Sequence, residues 1–357
     1  MTAGMKRADD RTERGAGAAV PASERRVVRL DGLSIGSLVV AAVLFVALVA
    51  LPFVFAGPVQ NALTTLFLLV TMASMWNLLA GYAGLVSFGQ QAFLGVGAYT
   101  LLVAVRAGIN PFAAVPIAAL VSLAVAVPLS YGLFRTRGAY FAIATWVVAE
   151  AFRLLVITVP ALGGGEGATL PPTGLDPVLR TALTYWTALA VVTASLLGIW
   201  LLLRSRLGLD AAAVRDDEQA AVALGVGADL ARRVPYLVSA AGFGATGAVL
   251  FLANLRLEPV SIFNVNYSAN AFFMALIGGV GTIEGPVVGA LIFYGLQFFL
   301  ADLGAAYLVL LGLLAIVVML VAPEGLWGRF SRWTGVVLFP IGYRVRSRKE
   351  GPRWRRS

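Results

Sequence analysis

The chain is a succession of long apolar runs separated by short polar segments. At ~1.5 Å rise per residue, a run of about 18 or more residues crosses ~30 Å of hydrocarbon as an α-helix. No period-two alternation typical of membrane strands is present. The pattern predicts an all-α, polytopic membrane protein with ten spans: 34–57, 59–80, 84–105, 112–134, 138–159, 183–203, 234–254, 262–281, 285–302 and 305–322.

The eighth predicted span, 262–281, is less apolar than the others. Its first half contains Asn264, Asn266, Ser268 and Asn270. If this segment did not cross, the Arg-rich C-terminus would lie outside, against the bias that places basic residues in the cytoplasm. We therefore expect a crossing helix whose polar half faces the protein interior.

Basic residues decide the predicted orientation. With the N-terminus inside, 23 of the 27 Lys and Arg residues fall on the inner side; Arg106, Arg180 and Arg256 fall outside, and Arg153 lies within a span. Both termini are therefore predicted to be cytoplasmic. The domain division that follows is a basic, disordered tail (1–33), a transmembrane domain (34–322) and a second basic cytoplasmic tail (323–357).

The amino-acid composition agrees with a membrane protein and argues against nucleic-acid binding. The 357 residues are 59% hydrophobic and 13% charged, with a mean hydropathy of +0.87, which is typical of a protein embedded in a lipid bilayer. The net charge of +9 lies mainly in the tails. Because no basic face is interleaved with stacking aromatic residues, no nucleic-acid partner is expected.

The usual catalytic and metal-ligating side chains are missing. The sequence contains no Cys and no His, which excludes Cys- or His-based metal sites, Ser-His-Asp triads and disulfides. The two lysines, Lys6 and Lys349, do not follow a glycine, so no phosphate-binding Gly-Lys loop exists. We expect no catalytic residue, metal or cofactor in this chain, and any ATP hydrolysis must belong to another subunit.

A glycine-rich stretch, 77–100, differs from a lipid-facing helix. Glycines allow close helix contact, while amides at membrane depth need partners in the protein or in a water-filled path. This predicts either the wall of a solute path or tight packing alone. The candidate path residues here, together with Asn270 in the eighth span, are Gly81, Gly84, Ser87, Gln90 and Gln91. A second stretch, 275–290, contains Gly278 and Gly281 at the same spacing as Gly81 and Gly84.

Glu150 and Arg153 lie three residues apart in the fifth span and share a helix face. An ionisable residue within a span is a candidate for the transport path. The alternative is a neutralising pair near the outer end of the helix. The outer loop 160–182 is rich in turn-forming residues and either meets a protein partner or only joins two spans.

The segment 204–233 is a charged island between two apolar spans. We predict a short helix from Ala211 to Leu224, with Asp210 as its N-cap and Gly225 as its stop. Its Ala and Leu stripe indicates a docking surface for a soluble partner. The alternative is a solvated connecting loop.

Four segments in order resemble the LivM-type permease subunits of ATP-binding-cassette importers for branched-chain amino acids. They are NLLAGYAGLVSFGQQAFLGVGAY, RTRGAYFAIATWVVAEAFR, VRDDEQAAVALGV and ALIGGVGTIEGPVVGA, and the similarity covers about residues 60–322. The resemblance implies a prokaryotic inner (plasma) membrane protein that works with a second homologous permease, two cytoplasmic ATP-binding subunits and an extracytoplasmic substrate-binding protein.

The resemblance also implies that the island carries the helix that couples the permease to the ATPase. Glu218, Ala220, Ala221 and Gly225 look like residues that recur there in the superfamily, although Gln219 intervenes. With Arg215, Asp216 and Asp217 they form the predicted ATPase-coupling loop.

Three alternatives to this function stay open. A related importer could carry urea or short amides. An ion-coupled secondary transporter would need ion-binding groups at the midplane, whereas Glu150 lies off-centre beside a cation. A membrane-embedded assembly subunit or enzyme is disfavoured by the missing catalytic residues.

Overall fold

A computed structural model gives the chain an all-α architecture, as predicted. The structure describes residues 25–28, 32–55, 57–172, 174–299, 306–322, 324–334 and 344–347. The helices are α1 (Gly32–Val54), α2 (Pro58–Asn77), α3 (Gln91–Arg106), α4 (Ala114–Leu133), α5 (Ala139–Thr158), α6 (Pro177–Arg204), α7 (Arg206–Asp216), α8 (Glu218–Ala223), α9 (Ala228–Asn254), α10 (Pro259–Ile262), α11 (Asn266–Gly278), α12 (Glu284–Phe299), α13 (Ala306–Val321) and α14 (Gly325–Thr334). A π-helical turn, Leu78–Tyr82, extends α2.

Two helices form the centre of the bundle. In the most apolar 18-residue stretch of each helix, 78% of the α2 stretch and 72% of the α9 stretch is buried, compared with only 22% of the α5 stretch. On α5 the exposed side chains are large and apolar, among them Ile143, Trp146 and Leu154. Such a surface is stable against lipid rather than water, which places α5 at the periphery.

Glycines allow α9 to lie against its neighbours backbone to backbone. A Cβ on Gly97 of α3 would overlap the carbonyl oxygen of Gly244 on α9, and a Cβ on Gly247 would overlap the carbonyl oxygen of Leu94. Small residues at such crossings maximise van der Waals contact where lipid supplies no hydrophobic driving force. Gly97 of the 77–100 stretch therefore serves packing at this crossing.

Six helices among the described residues are long and apolar enough to cross a membrane: Pro58–Tyr82, Ala114–Leu133, Ala139–Thr158, Pro177–Arg204, Ala228–Asn254 and Pro259–Gly278. The last one is the polar eighth span, interrupted between α10 and α11. Helices α3 and α12 are apolar but have only 16 residues each. The chain is thus a multi-pass membrane protein, while the number of ten crossings stays a prediction.

The predicted start of the third span was wrong. Its helix begins at Gln91 rather than at residue 84, and the intervening segment is largely irregular. Gly84 in this segment has φ +68°, a left-handed conformation that glycine adopts without steric cost. The composition of 83–90 matches that of a span, but its backbone is held by contacts from other elements, described below.

Two pairs of short strands accompany the helices. β1 (Arg25–Val28), in the first predicted tail, pairs antiparallel with β4 (Arg344–Ser347), in the second; the disorder of the tails stays a prediction. The rest of the two tails lies largely outside the described residues. β2 (Ala168–Thr169) pairs with β3 (Arg256–Leu257), joining the 160–182 loop to the C-terminal end of α9.

Candidate functional site

Two glycine-rich turns distant in sequence meet at one end of the bundle. Asn77, at the end of α2, is 2% exposed. Its side-chain Oδ1 accepts a hydrogen bond from Gly281 N at 2.8 Å, and its Nδ2 donates to Thr282 O at 2.8 Å. A Cβ on Gly81 would lie 2.6 Å from Gly281 N. The turns that contain Gly81 and Gly281, similar in sequence, therefore lie in direct contact.

The irregular segment 83–90 is buried at Ser87, Gly89 and Gln90 and is hydrogen-bonded to two other helices. Trp76 Nε1 donates to Ser87 O at 2.8 Å, and Phe88 N donates to Thr145 Oγ1 on α5 at 3.2 Å. A Cβ on Gly89 would overlap the backbone of Thr145. These contacts satisfy backbone groups that a helix would have paired internally, which explains how this segment can leave the helical conformation within the membrane.

Ser87, Gln90 and Gln91 are fully buried within the subunit. Gln90 Nε2 donates to Ser87 Oγ at 3.3 Å. Gln91 Nε2 donates to Phe88 O at 2.9 Å, and its Oε1 accepts from the Ser268 hydroxyl of α11. Three of the predicted path residues thus form one polar cluster that also joins α3 to α11.

The other predicted path residues are placed differently. Gly81 is buried and Gly84 is exposed. Asn270 is partly buried, and its Oδ1 has no hydrogen-bond partner among the described residues. Glu150 lies on the peripheral helix α5, where its carboxylate accepts from Arg153 Nε at 2.9 Å. The predicted pairing of Glu150 with Arg153 is present, and a transport role for these residues stays a prediction.

The charged island folds as two helices instead of the single predicted helix Ala211–Leu224. α7 ends at Asp216, and Asp217 is the N-cap of α8, its Oδ1 accepting from Ala220 N at 3.0 Å. Asp210 lies inside α7 and is not an N-cap. An aspartate beside free amide groups stabilises a new helix start, which explains the break. Gly225, with φ +87°, follows the end of α8 as predicted.

Arg215 connects this island to the glycine-rich turns. Its Nη1 donates to the carbonyl oxygen of Gly81, while Nε and Nη2 contact Asp216 Oδ1 at 2.8 and 2.7 Å. The aliphatic part of Arg215 packs against Gly84. One side chain thus links α7, the π-helical turn and, through Asn77, the turn at Gly281.

Glu218 is held by arginines of its own chain. Arg232 on α9 donates to both carboxylate oxygens at 3.0 and 2.8 Å, and Arg137, in the α4–α5 loop, lies 3.1 Å away. The hydrogen bonds from Arg232 hold the pKa of Glu218 below its usual value. Glu218 therefore fixes α8 to the bundle, and a change of this residue disturbs the fold of the island itself.

The remaining island residues divide into buried and exposed groups. Ala221 is 3% exposed and packs with Val214 and Ala231. Ala220, Val222, Ala223, Leu224 and Gly225 are exposed, with Leu224 at 86% and Val222 at 52%. The α8 end of the island thus presents apolar side chains away from the bundle.

An open cleft of about 550 Å³ is lined by residues from Gly165 to Thr169 together with Arg256, Glu258 and Val260. It includes the β2–β3 pair, where the predicted outer loop meets the chain after α9. Helix α9 runs from the island to this cleft, and its 27 residues span ~40 Å. The cleft and the island therefore lie at opposite ends of the bundle.

Sequence reasoning did not single out Asn77, Thr282, Arg137 or Arg232. Of these four, only Asn77 had a feature that indicated a role in the sequence: it is an amide near the end of an apolar span, shortly before a glycine-rich turn. For the two arginines, the charge bias predicts only a position on the inner side of the membrane.

The comparisons with known proteins agree with this architecture. A family model described as "Branched-chain amino acid transport system / permease component" matches residues 59–322. The chain is 29% identical over 328 residues to the Salmonella typhimurium protein named high-affinity branched-chain amino acid transport system permease protein LivM, covering 83% of this chain and 76% of that protein. It is 28% identical to the Escherichia coli protein of the same name, with the same coverage. No solved structure matches the chain.

The matched region runs from α2 to the end of α13 and includes the island and both glycine-rich turns. The relatives are transporter components rather than enzymes. The chain therefore belongs to the branched-chain amino acid transport permease family and is a permease subunit of an ATP-binding-cassette importer.

Proposed function

We propose that this subunit forms, with a second homologous permease, the path by which branched-chain amino acids enter a prokaryotic cell across the plasma membrane. The names of the two relatives support this substrate class. ATP hydrolysis takes place in two cytoplasmic partner subunits, because this sequence contains no phosphate-binding loop. An extracytoplasmic binding protein delivers the substrate, and the open cleft at Arg256 lies at the end expected to meet it.

The contact of Arg215 with Gly81 supports the coupling step of this proposal. The apolar residues Val222 and Leu224 provide an exposed surface on which an ATPase subunit can dock. Movement of the docked island then reaches the glycine-rich turns through the Arg215 guanidinium. The turns at Gly81 and Gly281 are the first membrane-domain segments to respond.

The substrate path itself is proposed along the polar residues of this region. The cluster of Ser87, Gln90 and Gln91 stabilises the irregular segment that forms the wall. Asn270 offers an acceptor oxygen without a partner among the described residues, suited to an ammonium group. Uptake of labelled leucine into proteoliposomes containing the whole importer, and competition by isoleucine and valine, tests the substrate class. Absence of competition contradicts it.

Two substitutions test separately whether an ATPase subunit docks on α8 and whether Arg215 transmits the movement of the island to the glycine-rich turns. Leu224→Glu places a charge on the exposed surface without removing an internal contact, and we expect loss of ATPase binding in co-purification. Arg215→Gln keeps the surface but loses the charge-assisted hydrogen bond to Gly81, and we expect normal assembly with ATP hydrolysis uncoupled from uptake. Arg180→Gln, at the opposite end of α6, is the matched control.

The results distinguish the proposal from a passive connecting loop. If Leu224→Glu leaves assembly unchanged, the α8 surface is not the docking site. If Arg215→Gln retains the wild-type ratio of uptake to hydrolysis, the Arg215 contact does not transmit the movement.

A further inference from the structure

The last helix, α14, exposes an apolar stripe. Leu326, Phe330 and Trp333 follow the i, i+4, i+7 spacing of one helix face, and they are 36%, 45% and 86% exposed. Gly325, at the start of the helix, is buried, and a Cβ there would overlap the backbone of Gly279. The helix therefore lies on the bundle at its small-residue start, while its largest apolar side chains point away.

The position of α14 indicates that lipid covers this stripe. It begins four residues after α13 ends, and the exposed residues at that end of α13 are also apolar: Leu320 is 78% and Val321 61% exposed. Ten residues reach only ~15 Å as a helix, so α14 is too short to cross the bilayer. It continues the lipid-facing surface of α13 at the membrane boundary.

Arginines flank the stripe. Arg329, Leu326, Phe330 and Trp333 line an open groove of about 260 Å³. Arg329 Nη1 donates to Val321 O at 2.8 Å, which uses one of its five N–H groups. Arg332 is paired on the surface with Glu324 at 2.8 Å. The combination of Trp, Phe and Leu with arginine at the rim is the pattern of a helix that lies in the membrane interface.

We propose that α14 is an interfacial helix that binds anionic phospholipid. Leu326, Phe330 and Trp333 enter the boundary between headgroups and acyl chains, and Arg329 binds the headgroup phosphate through its remaining N–H donors. The sequence beyond α14 contains further basic residues, including Arg344, Arg346 and Arg348. The partner is the lipid leaflet and not a soluble phosphate compound.

The absence of native cysteine makes a direct depth measurement possible. Trp333→Cys in the full-length chain is labelled with a nitroxide and reconstituted in phosphatidylcholine nanodiscs, with or without phosphatidylglycerol. We expect the label to collide more often with oxygen, which dissolves in lipid, than with a water-soluble nickel chelate. Leu224→Cys, equally exposed at the same end of the bundle, is the control and gives the opposite ratio.

Phosphatidylglycerol is expected to shift the label at 333 deeper, and Arg329→Gln is expected to abolish this shift. A ratio at 333 that equals that at 224 overturns the proposal, as does protection from both reagents, which indicates a protein partner. If inorganic phosphate added to phosphatidylcholine discs reproduces the shift, the groove recognises free phosphate and the lipid assignment is wrong. Leu326→Cys repeats the measurement at a second position of the stripe.

Discussion

Asn77 and Gly281 are 204 residues apart in sequence, yet the Asn77 Oδ1 accepts the Gly281 amide hydrogen at 2.8 Å. The same side chain donates to Thr282 O at 2.8 Å. A primary amide is suited to this position because it offers an acceptor and a donor in one plane. Asn77 thus closes the contact between the two glycine-rich turns.

We expect Asn77→Ala to destabilise the protein by ~1–3 kcal/mol, because it leaves the partly buried amide of Gly281 and carbonyl of Thr282 without their partner. The measurement is thermal unfolding of the detergent-solubilised chain, followed by tryptophan fluorescence. Asn61→Ala, an exposed position on the same helix, is the control and should unfold as wild type does. Equal midpoints for both variants would show that the contact between the turns contributes little stability.

The backbone crossing of α3 and α9 gives a second prediction. Gly97→Ala adds a methyl group where Gly244 O already lies, and separation of the helices should cost ~1–3 kcal/mol or more. Gly198→Ala on α6 meets no atom within 4 Å and should instead stabilise by up to ~1 kcal/mol through helix propensity. The measurement is thermal unfolding of both variants and of the wild type under identical conditions. If Gly97→Ala unfolds at the wild-type temperature, α3 and α9 are less closely packed than the structure shows.

The apolar pattern predicted the positions of most helices but not the start of α3. Residues 83–90 have the composition of a span, but contacts with Trp76, Thr145 and Arg215 hold this segment in its observed conformation. Such long-range pairing is not encoded in local periodicity. The start of α8 was in principle readable, because Asp217 followed by Glu218 is a typical helix start.

The candidate site was predictable to a similar extent. The island and both glycine-rich stretches were identified from composition, and the structure brings them together. That Arg215 connects them, and that Glu218 faces arginines of its own chain, depends on how α7 and α8 pack against α9. A helical pattern in the sequence indicates which face of a helix is buried, but not which other helix packs against that face.

The pairing of Glu218 with Arg232 predicts a pH-dependent contribution to stability. The pKa of this carboxyl is lowered in the folded chain, so its stabilising effect is present above the pKa of the unfolded chain, ~4.3, and is lost as the pH falls through the folded pKa. We expect Glu218→Gln to lower stability at neutral pH by ~1 kcal/mol and to match wild type in acid. The measurement is the difference in unfolding midpoint between the two chains across this range.

Asp229→Asn is the control for this experiment. Asp229 lies 3.6 Å from Arg233 and its side chain is 78% exposed, so its pairing should contribute almost nothing. A Glu218→Gln difference that persists unchanged below the folded pKa would mean that shape or packing, rather than charge, explains its effect.

The orientation of the bundle is the last prediction, and the structure identifies suitable positions for its test. Gly167 is a poor site for an introduced cysteine, because a side chain there would overlap Leu257 O. Glu166 is exposed beside it, and Leu224 is exposed at the opposite end of the bundle.

With 23 of 27 basic residues on the predicted inner side, we expect a membrane-impermeant maleimide added to intact cells to label Glu166→Cys but not Leu224→Cys or Ser347→Cys. Permeabilised cells, in which Leu224→Cys should react, supply the control for accessibility. Labelling of Ser347→Cys in intact cells, with Leu224→Cys protected, would place the C-terminus outside and require an odd number of crossings after the island.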